Sequence, residues 1–134
     1  MKKLILPFVA GLALLLAGCA SGPKFSESGD AAATPPPGQS LVFILRTPNF
    51  AGSVISWDVG LNGRHLVTVP NGGYHLFTNA PGTMRFTVNQ GSEILRLEAR
   101  ADTTHYLKFA FGQMEELPPA KGKEALSHCN RIQP

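Results

Sequence analysis

The chain has 134 residues, 14 Gly, 11 Pro and two Cys, which bounds it to a single domain with a core of ordinary size. Its 12 Lys plus Arg exceed its 9 Asp plus Glu by only three, and two of the cations are Lys2 and Lys3. Without those two the chain is close to neutral, so it has no surplus of cations to neutralise phosphates and a nucleic-acid partner is excluded. In chain order, Met1-Lys2-Lys3 is a basic start and Leu4 to Ala17 is an apolar run broken only by Pro7 and Gly11. Fourteen residues of helix reach about 21 Å, short of a bilayer core of roughly 30 Å. That is the length of a signal peptide, expected over residues 1–18.

The run ends in Leu16-Ala17-Gly18-Cys19. This resembles the lipobox of bacterial lipoproteins. The resemblance implies cleavage between Gly18 and Cys19 and acyl chains on Cys19, with the membrane as a partner through those chains. Two or three chains anchor stably where one does not, at ~0.8 kcal/mol per buried methylene. The next residue is Ala20, where an Asp in Gram-negative lipoproteins commonly signals inner-membrane retention. The resemblance therefore implies the outer membrane, with the domain on its periplasmic face. Residues 19–39, the lipidated Cys and the stretch behind it, carry one aromatic and end in Pro35-Pro36-Pro37-Gly38. Such a composition predicts a disordered tether spanning roughly 25 Å.

Residues 40–134 read as a β-sandwich. Leu41-Val42-Phe43-Ile44-Leu45 is an unbroken apolar run, suiting a strand covered on both faces. Ser53 to Leu61 alternates, with Ile55, Trp57, Val59 and Leu61 on one side. Asn62-Gly63 then signals a type I′ hairpin turn, because both positions tolerate positive φ. Further strands are expected over Arg64 to Val69, Tyr74 to Thr78, Met84 to Val88, Ile94 to Leu97 and Tyr106 to Phe111, separated by Gly, Pro, Asn and Asp clusters. Seven short strands with such spacing predict an all-β, antiparallel sandwich. After Pro118-Pro119, Ala125, Leu126 and Cys129 fall at helical spacing and predict one short C-terminal helix over Ala120 to Asn130.

The order of these segments carries a second resemblance. The first apolar strand ends in a basic residue (Leu41 to Arg46), and a hairpin centres on Asn-Gly (Val59-Gly60-Leu61-Asn62-Gly63-Arg64). An aromatic strand leads into a Pro-Gly turn (Gly73-Tyr74 through Pro81-Gly82). A later strand centres on an aromatic and Lys (Thr104-His105-Tyr106-Leu107-Lys108), and the terminal stretch carries Cys129. This layout resembles small bacterial lipoproteins that carry a domain of unknown function related to PEGA-like β-sandwiches. The resemblance covers about Gln39 to Cys129 and brings no catalytic residues to transfer.

Chemistry is sparse. With Cys19 acylated, Cys129 has no partner in the chain, so it is either a buried small hydrophobe or a bridge to another protein. His65, His75, His105 and His128 form no compact metal-binding pattern, and the carboxylates are scattered. Nucleophile-elbow, P-loop and dinucleotide motifs are missing, so neither an enzyme nor a cofactor is expected. Glu115-Glu116 reads as a solvated turn before Pro118. Arg46, Arg64, Arg85, Arg96 and Arg100 alternate with apolar residues and suggest a basic stripe on a solvent-facing sheet. Phe50, in the loop after the first strand, and Tyr74, on a strand with outward parity, are the candidate contact residues. The reading is a lipid-anchored, non-enzymatic interaction or adaptor module that binds an envelope protein. The alternative is a small-ligand or glycan binder using Trp57 or Tyr74 as a stacking platform.

Overall fold

A computed structural model of the chain describes residues 22–52 and 54–133. The expected signal peptide, the cleavage site at Gly18 and the acylated Cys19 all lie outside the described residues. The described chain is a β-sandwich with a short C-terminal helix. In chain order its elements are β1 (Ser40–Leu45), β2 (Trp57–Leu61), β3 (Arg64–Val69), β4 (Gly73–Asn79), β5 (Gly82–Val88), β6 (Glu93–Ala99), β7 (Thr103–Ala110), β8 (Gln113–Leu117), α1 (Pro119–Leu126) and β9 (Asn130–Arg131). One sheet has the order β8-β7-β1-β4-β9 and the other β3-β2-β5-β6. Most neighbours are antiparallel, but β1 runs parallel to β7 and β4 parallel to β9.

Every residue of β1 is buried, which explains its unbroken apolar sequence. Parallel pairing such as β1–β7 suits a strand shielded on both sides. On the inner face Val42, Ile44, Leu107 and Phe109 meet Val59, Val69, Met84, Phe86 and Leu97 of the other sheet. On the outer face Phe43, Leu45, Tyr74 and Tyr106 form a second core with Leu126, Cys129 and Phe25. The molecule is therefore three layers deep: four strands, five strands, then α1 together with an N-terminal arm.

That arm corrects the expected disordered tether. Residues 22–39 are part of the folded unit. Lys24 bridges Asn130 in antiparallel fashion, the Phe25 amide donates to the Cys129 carbonyl (3.0 Å), and the Arg131 amide donates to the Pro23 carbonyl (2.8 Å). The arm thus adds a further short edge beside β9. Two 3-10 turns, Phe25–Glu27 and Asp30–Ala32, then cross the outer face. Phe25 meets Tyr74 edge to face with ring centroids 5.5 Å apart and Phe43 at 5.9 Å. Composition alone underestimates this segment, because one well-placed aromatic and a set of backbone hydrogen bonds hold it.

Three local differences follow from the layering. Tyr74 is fully buried under the arm, so it is withdrawn as a contact residue. Its outward parity placed it on the outer face correctly, but that face is covered rather than wet. Glu115 and Glu116 lie in strand β8, not in a turn. The expected helix is shorter, Pro119–Leu126, with Cys129 just beyond it. Gly122 lets α1 lie directly on the ring of Tyr106, where any Cβ would collide with the ring carbons.

Candidate functional site

At one end of the sandwich the strands β1, β2 and β7 open onto a cavity of about 260 Å³. Its floor is the inner face: Trp57 tilts onto Phe109 with centroids 5.7 Å apart. Its walls include Arg46, Ile55 and Lys108, and Phe111 stands at its rim. Arg46 follows β1 on the inward side and is only 6% exposed. Its Nη1 donates to the Ile55 carbonyl (2.6 Å) and the Val69 carbonyl (3.0 Å), tying the end of β1 to the segment before β2 and to the end of β3. Burial lowers its pKa from the usual guanidinium value. The proposed basic stripe therefore loses Arg46 to a structural role. Of the others, Arg85 and Arg96 face each other across β5 and β6, and Arg96 also pairs with Glu93 at 3.2 Å.

The large apolar side chains that remain exposed gather around this end. Phe50 is 96% exposed, Val54 87%, Phe111 75% and Ile55 47%. Phe50 opens a 3-10 turn, Phe50–Gly52, in the long β1–β2 loop, which Asn71 props by accepting the Asn49 amide at 2.8 Å. The sequence-predicted contact residue Phe50 is thus at the surface beside the cavity. Ile55 lies outside β2 rather than within a strand, while Trp57 and Leu61 are half-buried and Val59 fully so.

Phe111 is the residue that sequence reasoning missed. The strand pattern places it at the end of a strand, yet it forms the two-residue β7–β8 turn with Gly112, with φ of 51° and 72°. Both angles belong to a type I′ turn, whose first position favours Asn, Asp or Gly. An ordinary L residue in that left-handed region costs roughly 1–2 kcal/mol. The available signal was the Gly112 that follows an alternating strand. The turn was hidden because an aromatic holds the place of the Asn.

The buried titratable groups near the core are engaged. The Arg100 amide donates to His105 Nε2 (3.2 Å), so the ring proton sits on Nδ1 and donates to Glu116 at 2.6 Å. His105 is buried, with both ring nitrogens hydrogen-bonded. Cys129 is buried, 3.6 Å from the Arg46 carbonyl, and burial pushes its thiol up to about 12. His65 and His75 lie on strands of different sheets but line one groove, and burial followed by the Arg131 charge lowers the His75 pKa. Among the described residues no three His, Cys, Asp or Glu side chains gather as a metal site, and no helix is long and apolar enough to cross a membrane.

No family model matches this chain, and no curated protein does. One solved structure is similar, the N-terminal domain of AlgF from P. aeruginosa. It is 24% identical, spans 62% of this chain and 98% of that one, and superposes with a TM-score of 0.46.

Proposed function

We propose that the protein is a lipid-anchored envelope module that binds a partner protein through the apolar end of its sandwich, without catalysis. The single observation that carries this reading is Phe111. It occupies a strained turn position, is 75% exposed, and stands over a cavity floored by Trp57 and Phe109. Local rules broken at an exposed aromatic mark sites selected for contact rather than for stability. Phe50 and Val54 extend the same apolar surface, and such exposed patches mark interaction sites. Anchoring rests on the lipobox at residues 16–19, and Ala20 supports the outer membrane, with the domain read on its periplasmic face.

A photo-crosslinking amino acid at position 111 tests the partner. The expected result is a discrete adduct with one envelope protein, absent when the probe is at Arg96 on the far face of β6. Equal labelling of abundant proteins from both positions would contradict the reading. A second reading, a small-ligand or glycan site, is favoured by one feature. Trp57 is half-buried and lines the cavity, so a ligand ring could stack there. Quenching of the only Trp by added ligand, with no protein adduct at position 111, would favour this alternative.

A further inference from the structure

The arm fixes where the chain leaves the fold. Gly22 is buried, its amide donates to the Arg131 carbonyl (3.1 Å), and its carbonyl accepts from Asn130 Nδ2 (3.0 Å). Only three peptide units separate Gly22 from Cys19, a reach of at most about 11 Å. With acyl chains on Cys19, the domain cannot float free of the bilayer, and the surface around Gly22 must lie next to the headgroups. That surface is an open groove of about 800 Å³ between the β3 edge of one sheet and the β9 edge of the other. Pro23, His65, His75, Arg131 and Gln133 line it, and among the described residues no Asp or Glu does. Arg131 is held 3.2 Å from Asp30, which belongs to the arm, while Lys24 stands exposed next to Pro23 and His65 is exposed within the groove itself.

We propose that this groove is the membrane-facing side of the domain and receives the anionic phospholipid headgroups of the bilayer that holds Cys19. The inference rests on the anchoring reading above. It sets the strands roughly along the membrane plane, with β6 and β8 as the edges far from the bilayer. The apolar end with Phe111 then opens sideways, where a partner held in the same membrane can reach it.

The test uses the full acylated protein in vesicles of phosphatidylcholine and phosphatidylglycerol. An environment-sensitive fluorophore is attached in turn at Gln133→Cys, beside Gly22, and at Gln113→Cys, on β8. Cys19 is blocked by its acyl chains and Cys129 is buried. The order β8-β7-β1-β4-β9 puts β8 four strand spacings from β9, ~19 Å away, so headgroup-quencher lipids should quench the Gln133→Cys label at least about twofold more. Added negative charge at Lys24→Glu with His65→Glu should reduce that difference while the protein still floats with vesicles. Equal quenching, or stronger quenching at Gln113→Cys, in protein that floats would overturn the orientation and leave the anchor standing. An unchanged difference after that added charge would overturn the headgroup assignment. Protein that does not float would overturn the anchor itself, and the proposal with it.

Discussion

The Tyr74 hydroxyl lies 2.7 Å from Oδ2 of Asp30, a residue 44 positions earlier in the chain. Ser28 Oγ is a second partner at 2.8 Å, and Arg131 reaches both Asp30 oxygens at 3.2 Å. The arm, β4 and the C-terminal strand therefore share one buried-to-surface hydrogen-bond network. It sits directly above the edge-to-face contact of Tyr74 with Phe25, so polar and apolar attachments reinforce each other.

Tyr74→Phe keeps the ring contacts and removes the hydroxyl. Losing the bond to the Asp30 carboxylate together with the Ser28 contact predicts a destabilisation of about 1.5–3 kcal/mol, measured by urea unfolding. Phe25→Ala should cost about 3–5 kcal/mol, because it empties a place in the outer core. Limited proteolysis separates the two attachments. Both variants should be cut first within residues 22–39, while the sandwich resists.

Phe111→Asn should do the opposite. Asn tolerates the left-handed conformation, so the variant should gain about 0.5–1 kcal/mol of stability. It should at the same time lose the crosslinked partner. A variant that is less stable than the natural chain would show that Phe111 serves the fold rather than contact.

Gly122→Ala sets two effects against each other. Replacing Gly in a helix interior gains about 1 kcal/mol from propensity. Here the new methyl would collide with the ring of Tyr106, and overpacking of that kind costs about 1–3 kcal/mol or more. Packing should win, with net destabilisation seen as a lower thermal midpoint, whereas Lys121→Ala on the exposed side of α1 should be neutral.

Alkaline stability follows from two buried acids. Burial pushes the Cys129 thiol from 9.0 up to about 12 and the Tyr74 phenol from 10.0 up to about 12. The folded state keeps both protons where the unfolded chain has lost them, so the unfolded state binds fewer protons and stability falls with rising pH. Their contribution should be whole below about pH 9 and disappear progressively towards 12. Urea midpoints from pH 8 upward check this, and Cys129→Ala should show a shallower decline above pH 9.0. In the folded protein Cys129 should also resist thiol reagents until denaturant is added.

Much of the sandwich was legible because its signals are local. The Asn62-Gly63 turn has φ of 50° and 84°, as its dipeptide demands, and the apolar run of β1 is buried throughout. What failed was the step from an outward face to a wet one. In a sheet covered on both faces, the outward side of a strand is not the wet side, and Tyr74 was misjudged for that reason. The arm was illegible because its hold is non-local, through backbone bonds to residues 129–131 more than a hundred positions away. Of the candidate site, Phe50 could be picked out from its loop, while Phe111 was masked by a turn that departs from the usual residue preference.

The account depends most on the arm being folded onto the sheet, since that fixes both the short leash to Cys19 and the side turned to the membrane. Amide hydrogen exchange on the acylated protein in vesicles tests it directly. The Phe25 amide, bonded to the Cys129 carbonyl, should be protected to an extent approaching that of the β1 amides. Exchange of the Phe25 amide at the rate of an unstructured peptide, while β1 remains protected, would contradict it.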